Sequence, residues 1–160
     1  MTELYLLRHA DAGDREAWTG DDADRPLSGK GEKQSERLGR FLAGTAFRAD
    51  VFLTSPKVRA LRTAEIVAER LGSTATVEDR LAGGLDAGVV DAILRDRGDP
   101  ERAVLVGHDP DFTELLQSLT ASTVEMKKGA MARIDIDRPL EDGAGRLAWL
   151  VPPDLLKPAR

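Results

Sequence analysis

Two arginines and two histidines follow apolar segments that have the length of buried strands. The first such segment ends at Arg8 and His9, and a later one ends at His108. Arg59 falls in the first turn of the helix that is predicted after a third segment. Because ligands bind at the carboxyl ends of the strands in an open parallel sheet, we expect these four side chains to meet at one edge.

The residue types in this group suit a phosphate. A guanidinium offers several N–H donors in a fork that matches phosphate oxygens, and helix N-termini at the same edge also favour anions. The chain has no cysteine, and the group includes no carboxylate, so it suits a phosphate better than a metal ion. An Arg-His pair alone, such as Arg8 and His9, is more often structural than functional.

The elements that must position these residues alternate along the chain. The predicted strands are residues 4–7, 51–54, 75–77, 103–107, 132–136 and 146–151. The predicted helices begin at Ser28, at Ser55-Pro56, after the loop 82–88 and at Asp109-Pro110, and they end near residues 42, 71, 98 and 119. Strands alternating with helices indicate a layered α/β fold with a mostly parallel sheet, and no linker divides residues 1–160, so we expect a single domain.

The composition limits the classes of function. With 160 residues, 41% hydrophobic and 32% charged, the chain is typical of a soluble domain. A net charge of −5 argues against nucleic acids and anionic membranes as partners, and no apolar run has the length of a membrane span. We expect a cytoplasmic protein without a cofactor. The acidic loop 14–24 lacks a calcium-binding pattern, and we expect it to be solvated.

Three ordered motifs resemble those of the histidine phosphatase superfamily, which has the phosphoglycerate-mutase-like fold. Residues 7–10, Leu-Arg-His-Ala, are similar to its Arg-His-Gly motif. Residues 55–64 resemble its Ser-Pro-x-x-Arg-Ala-x-Gln-Thr-Ala motif, and residues 104–110 resemble its third motif. The short chain and the Asp-Pro after His108 are most similar to the small bacterial phosphohistidine phosphatases. The resemblance implies a three-layer α/β/α sandwich with a mostly parallel central sheet.

The resemblance also implies a role for each of the four residues. His9 is the expected nucleophile, which attacks phosphorus and becomes a phosphohistidine that water then hydrolyses. Arg8, Arg59 and His108 are expected to bind the non-bridging phosphate oxygens and to stabilise the charge of the transition state. No metal ligand is expected.

The chain departs from the family pattern at three positions. Ala10 replaces the usual Gly, and Arg62 stands where Gln is common and adds positive charge near Arg59. Gly83 occupies the position of a catalytic Glu in larger family members, so the usual general acid is missing. Asp86 lies nearby as a possible general acid, although a helix N-cap is the favoured interpretation.

The missing acid affects the expected substrate. An alkoxide leaving group needs a proton, whereas an imidazole leaving a phosphoramidate can already carry one. We therefore expect a metal-independent phosphatase that acts on phosphohistidine in a protein, such as a histidine-phosphorylated signalling protein. The alternatives are a phosphatase for a small phosphorylated metabolite and a non-catalytic phosphate-binding module. The oligomeric state is left open.

Overall fold

The computed structural model describes residues 1–159, and its six strands form one mixed sheet. The strands are β1 (Thr2–Arg8), β2 (Val51–Thr54), β3 (Thr76–Val77), β4 (Arg102–Gly107), β5 (Met131–Ile136) and β6 (Gly145–Val151). Their order across the sheet is β3-β2-β4-β1-β5-β6. The pairs from β3 to β1 are parallel, and the pairs that involve β5 are antiparallel.

Four helices cover the two faces of the sheet. They are α1 (Gly29–Gly44), α2 (Val58–Arg70), α3 (Ala87–Asp96) and α4 (Asp111–Thr120). Because side chains alternate along a strand, Leu4 and Leu6 of β1 face one apolar cluster with α3 and α4. Tyr5 and Leu7 face the other cluster, with α1 and α2. The predicted three-layer α/β/α sandwich is confirmed.

The parallel register aligns the carboxyl ends of the three central strands. Arg8 is opposite Gly107 where β1 pairs with β4, and Thr54 is opposite Val106 where β2 pairs with β4. His9, Ser55 and His108 therefore leave the sheet at one edge, as the sequence predicted.

Two predicted helix caps are confirmed. The side chain of Ser28 accepts a hydrogen bond from the Gly31 N–H at the start of α1. The side chain of Asp86 accepts one from the Val89 N–H, at 2.9 Å, at the start of α3. Each cap satisfies one of the backbone donors that a helix N-terminus leaves free.

Of the two other predicted caps, Ser55 is wrong, and Asp109 lies one residue further from its helix than predicted. Lys57, without a side-chain cap, precedes α2, so Ser55 and Pro56 lie outside that helix. Pro110 directly precedes α4, and the Asp109 carboxylate accepts from the N–H and the hydroxyl of Thr113, the third residue of the helix. The Asp109 side chain therefore satisfies a free N–H of the first turn, as a cap does, whereas the Ser55 hydroxyl contacts His108 and the Lys57 N–H.

The helices are amphipathic rather than uniformly apolar. In α1, Leu38 and Leu42 are buried, whereas Phe41 is 42% exposed. No helix within residues 1–159 combines the length and the apolar character that crossing a membrane would require.

Candidate active site

The four predicted site residues line one cavity of about 380 Å³ at the carboxyl edge of the sheet. We call it the active cavity. His9 follows β1, and its N–H donates to the Gly107 carbonyl of β4 at 3.0 Å. This bond holds His9 beside the strand that delivers His108, and the two imidazole centroids lie 5.3 Å apart. Arg59 enters the cavity from the first turn of α2.

The imidazole of His9 is held in one tautomer. Its Nδ1 lies 2.8 Å from the carbonyl oxygen of Ala10. A carbonyl only accepts hydrogen bonds, so Nδ1 carries the proton and Nε2 keeps its lone pair. Burial, followed by the positive charges of Arg59 and Arg8, lowers the pKa of His9 to about 3, against the opposing effect of the Ala10 bond. At neutral pH His9 therefore offers an unprotonated Nε2.

A second layer of contacts supports the loop that follows His9. The Ala10 N–H donates to the Thr63 hydroxyl oxygen at 3.1 Å. That hydroxyl donates to the Arg59 carbonyl, one helical turn earlier in α2, at 2.8 Å. The backbone after His9 and the helix that carries Arg59 are thus joined through one buried threonine.

The two arginines have partners that leave part of each guanidinium unused. Arg8 donates from Nη1 to the Met126 carbonyl at 2.8 Å and lies 3.7 Å from the Asp109 carboxylate. Arg59 donates from Nη1 to the Asp22 carbonyl at 2.7 Å and from Nη2 to the Asp22 carboxylate at 3.1 Å. The Nε atoms of both arginines are buried without a partner.

His108 is positioned by Ser55. Its Nε2 lies 2.8 Å from the Ser55 hydroxyl oxygen, and both residues are buried. Burial, followed by the neighbouring His9 and Arg59, lowers the pKa of His108 to about 3. Its Nδ1 is buried without a partner.

Three buried nitrogens of this site lack a hydrogen-bond partner. Within residues 1–159, the buried side-chain polar atoms that lack a hydrogen-bond partner are Nε of Arg8, Nε of Arg59 and Nδ1 of His108. Buried polar atoms are almost always paired in folded proteins, so such a group requires an explanation. An anion in the active cavity would bring acceptor oxygens to a cluster of nitrogen donors.

Asp22 lies in the active cavity, contrary to the expectation that the loop 14–24 is only solvated. Burial raises the pKa of its carboxyl group, but the hydrogen bond from Arg25 and the charges of Arg59 and Arg25 outweigh burial and lower that pKa overall. The hydrogen bond from Arg59 to the Asp22 carboxylate joins residues 37 positions apart in the chain, and no local sequence pattern indicates it.

Among the residues near the expected position of a general acid, some line the active cavity and others do not. Gly83 lines the active cavity, and a Cβ added there would meet no atom within 4 Å. Asp86 is exposed, caps α3 and is not among the residues that line the cavity. Asp111 does line it, and its carboxylate accepts from the Leu85 N–H at 3.4 Å. The sequence analysis did not single out Asp111.

Arg62 does not add charge to the active cavity. Its exposed guanidinium lies 3.7 Å from the Glu32 carboxylate and 3.6 Å from that of Glu65. No cluster of three or more potential metal-ligating side chains occurs within the part of the chain that the structure describes.

The α/β/α fold places a neutral imidazole beside a cluster of nitrogen donors, an arrangement that suits a tetrahedral oxyanion. The histidine phosphatase superfamily (branch 1) model matches residues 4–91, more than half of the chain. The chain belongs to the histidine phosphatase superfamily.

Individual relatives agree with this membership. An uncharacterized protein from Picosynechococcus is 34% identical over 152 residues, covering 91% of this chain and 88% of that protein. A 2,3-bisphosphoglycerate-dependent phosphoglycerate mutase from Thermobifida fusca is 40% identical over 77 residues. That match covers 45% of this chain and only 30% of the mutase. The protein histidine phosphatase SixA, solved with tungstate, aligns with a TM-score of 0.83 at 27% identity and covers 98% of this chain and 100% of that one.

Proposed function

We propose that this chain hydrolyses phosphohistidine in proteins through a covalent intermediate on Nε2 of His9. Membership of the histidine phosphatase superfamily and the likeness to SixA support a phosphatase. One observation carries the finer proposal: His9 keeps an unprotonated Nε2 in the same cavity as the unpartnered nitrogens of Arg8, Arg59 and His108. A nucleophile and an oxyanion site are the two parts that phosphoryl transfer requires.

In the first step, Nε2 of His9 attacks phosphorus, and the bond from phosphorus to the substrate nitrogen breaks. The other ring nitrogen of the substrate imidazole carries a proton, so the leaving group departs as neutral imidazole. Arg8, Arg59 and His108 donate to the non-bridging oxygens throughout and stabilise the charge of the transition state.

In the second step, water attacks phosphorus and the bond from phosphorus to Nε2 breaks. Nδ1 of His9 keeps its proton, which is hydrogen-bonded to the Ala10 carbonyl. The ring of His9 is therefore also released from phosphorus as a neutral imidazole. The protons of the attacking water pass to the released phosphate. The two steps therefore use equivalent leaving groups, and neither needs a general acid at Gly83.

A small phosphorylated metabolite is the second candidate substrate. The match to a phosphoglycerate mutase favours it, because that relative is named for a phosphorylated metabolite. The active cavity, which contains Gly83 where a general acid would stand, favours phosphohistidine. The name of SixA supports a histidine-phosphorylated protein as the partner.

The test is to trap the phosphoenzyme. Wild type is incubated with a ³²P-labelled phosphohistidine peptide and quenched in alkali, where phosphohistidine survives. We expect alkali-stable, acid-labile label on the wild-type protein and none on His9→Ala, which should keep the wild-type circular dichroism spectrum. Parallel assays with phosphorylated sugars and glycerates separate the second candidate. Label on His9→Ala would refute the assignment, and wild type that binds phosphate without turnover would indicate a binding module.

We also propose that catalysis needs no metal ion, because Arg8, Arg59 and His108 offset the phosphate charge. Treatment with a chelator should leave the rate of aryl phosphate hydrolysis within about twofold of the untreated rate. A large loss that magnesium restores would overturn this.

A further inference from the structure

The lysines share one property: none forms an ion pair within residues 1–159. The chain has six of them, and no carboxylate of the described residues lies within 4 Å of any lysine nitrogen. Most arginines, in contrast, have acidic partners. The lysines are also not scattered. Lys57 and Lys128 line the active cavity, and Lys30, Lys33 and Lys157 line a neighbouring cleft.

This cleft, of about 310 Å³, lies between α1 and the 3-10 turn Pro153–Leu156. We call it the basic cleft. Its cationic residues are Lys30, Lys33, Arg37 and Lys157, and its one acidic residue is Asp154. Arg37 also forms no ion pair with any residue that the structure describes, so the cleft concentrates positive charge on a chain whose net charge is −5.

Gln34 connects the basic cleft to the active cavity. It lines the cleft, and its Oε1 accepts from the Asp11 N–H at 2.9 Å, two residues after His9. The same oxygen lies 3.3 Å from the position of a Cβ on Gly129, the residue after Lys128. The Gly129 N–H donates to the carbonyl of His9 at 3.0 Å. The basic cleft therefore adjoins the rim of the active cavity.

The charges of the two regions also act on a common group. The hydrogen bond from Ser28 is the main cause that lowers the pKa of Asp11, and the positive charges of Lys128 and Lys30 contribute as well. One of these lysines lines the active cavity and the other lines the basic cleft. A partner whose phosphoryl group enters the cavity would thus meet the positive charge of the cleft beside it.

We propose that the basic cleft binds an acidic surface next to the phosphorylated histidine of a protein substrate. This inference rests on the proposed function and names the chemistry of its partner. A small metabolite has its phosphate charge already balanced by Arg8 and Arg59, and the cleft lies outside the cavity that holds it. A nucleic acid would extend past the cleft onto the rest of this chain, whose net charge is negative and would repel it. A compact acidic patch on a protein substrate would contact the cleft alone.

The local charge can act despite the negative net charge. At physiological ionic strength, interactions between exposed charges are largely screened beyond about 8 Å. A group that docks against the cleft therefore interacts with the charges of the cleft residues, whereas its interaction with distant carboxylates is screened. The effect should appear in the association of the substrate and should weaken as salt is added.

The experiment uses three phosphohistidine peptides of equal length, whose flanking residues are acidic, neutral or basic. We expect kcat/KM for the acidic peptide to exceed that for the neutral one by about tenfold at low salt, with the difference falling as NaCl is added. The double variant K33E/R37E should lose this preference through a higher KM. An aryl phosphate, which does not reach the cleft, serves as the reference substrate.

A matched control carries the same change of charge on the opposite edge of the sheet. Arg48 precedes β2 and Arg146 lies at the start of β6; both are exposed and in no ion pair within the described residues. R48E/R146E should keep the preference for the acidic peptide. An equal loss in both double variants would show a general effect of net charge and would overturn the proposal.

The outcomes distinguish this proposal from the one beneath it. Equal hydrolysis of the three peptides would remove the acidic docking surface alone. Hydrolysis of the aryl phosphate but of no peptide would remove the phosphohistidine substrate and the docking surface with it. A single-stranded oligodeoxynucleotide and anionic vesicles are tested as inhibitors beside the unphosphorylated acidic peptide. If either inhibited wild type more strongly than this peptide does, and K33E/R37E abolished that inhibition, the cleft would bind a different class of partner.

Discussion

The hydroxyl oxygen of Ser55 lies 2.8 Å from Nε2 of His108 and also accepts the Lys57 N–H at 3.2 Å. The backbone N–H already uses one lone pair of this oxygen, which leaves the hydroxyl proton available for His108. If Ser55 donates to Nε2, the proton of the neutral imidazole resides on Nδ1. That tautomer turns the unpartnered Nδ1 into a hydrogen-bond donor, which is the form that a phosphate oxygen requires.

Ser55→Ala should therefore lower kcat/KM for an aryl phosphate by about 10- to 100-fold, the usual effect of removing a group that orients a ligand-binding imidazole. The ¹⁵N chemical shifts of His108 should show a loss of the Nδ1–H tautomer. Ser35→Ala is the matched control, because this buried hydroxyl donates to the Gly31 carbonyl within α1. Unchanged kinetics and tautomer in Ser55→Ala would contradict the assignment.

Neither histidine should titrate near pH 6.5. Their pKa values are lowered to about 3 in the folded protein, mainly by burial. His9 and His108 are the only histidines in the chain, so the imidazole region of a proton NMR spectrum reports on them alone. At pH 5, where an exposed histidine is mostly protonated, both should show neutral-ring shifts. A resonance with a midpoint near 6.5 would contradict the buried, neutral site.

The same shifts predict a loss of stability in mild acid. Between pH 6.5 and pH 3 the unfolded chain binds protons at both histidines and the folded chain does not, so the free energy of unfolding falls as the pH falls. Above pH 6.5 the imidazoles are mostly neutral in both the folded and the unfolded chain, so this loss of stability is absent there. Urea unfolding between pH 7 and pH 5, where most carboxylates remain ionised, should show this slope. His9→Ala should have a shallower slope, and an equal slope would place the effect elsewhere.

The dependence of rate on the leaving group should be steep. With Gly83 in the cavity and no carboxyl group on it, simple alkyl phosphates should react more slowly than aryl phosphates and phosphoramidates by roughly 10²–10⁴-fold. Asp86→Ala should cost about 1 kcal/mol of stability through its lost cap and leave this dependence unchanged.

Gly83→Glu offers a gain-of-function test of the same reasoning. The φ of Gly83 is 168°, an extended conformation open to any residue, and no atom lies within 4 Å of the position of an added Cβ. The variant should raise the rate for alkyl phosphates more than for aryl phosphates. A flat wild-type series that becomes steep in Asp111→Asn would contradict the prediction and identify Asp111 as the proton donor.

Tungstate should stabilise the protein through the active cavity. Near 100 times its Kd, an anion that binds only the folded state adds about 2.7 kcal/mol to the free energy of unfolding. Arg59→Ala should weaken tungstate binding by roughly 10- to 100-fold, because it removes hydrogen bonds from a charged donor. Arg62→Ala, on the same helix but paired with Glu32 and Glu65, is the control. Equal melting shifts in the two variants would place Arg59 outside the anion site.

The sequence was most informative where a function depends on strand ends. Arg8, His9 and His108 meet because parallel strands end level with one another, and this follows from the order of the elements. Ser55 was predicted wrongly as a cap, because its hydroxyl pairs with His108, a partner that the local cap-then-proline pattern does not describe. Asp22 was missed because its partner, too, is distant in the chain. Its contact with Arg59 depends on how a loop folds over the sheet, which periodicity does not encode.

The ion pair between Asp22 and Arg59 bears on product release. The carboxylate is part of the same chain as the guanidinium, so it competes with any incoming anion at a high effective concentration. A substrate gains further contacts that offset this competition, whereas inorganic phosphate does not. Asp22→Asn should therefore strengthen inhibition by phosphate more than it lowers KM for a phosphohistidine peptide, and equal changes in the two constants would contradict this. We therefore expect the loop that carries Asp22 to favour the release of phosphate after each turnover.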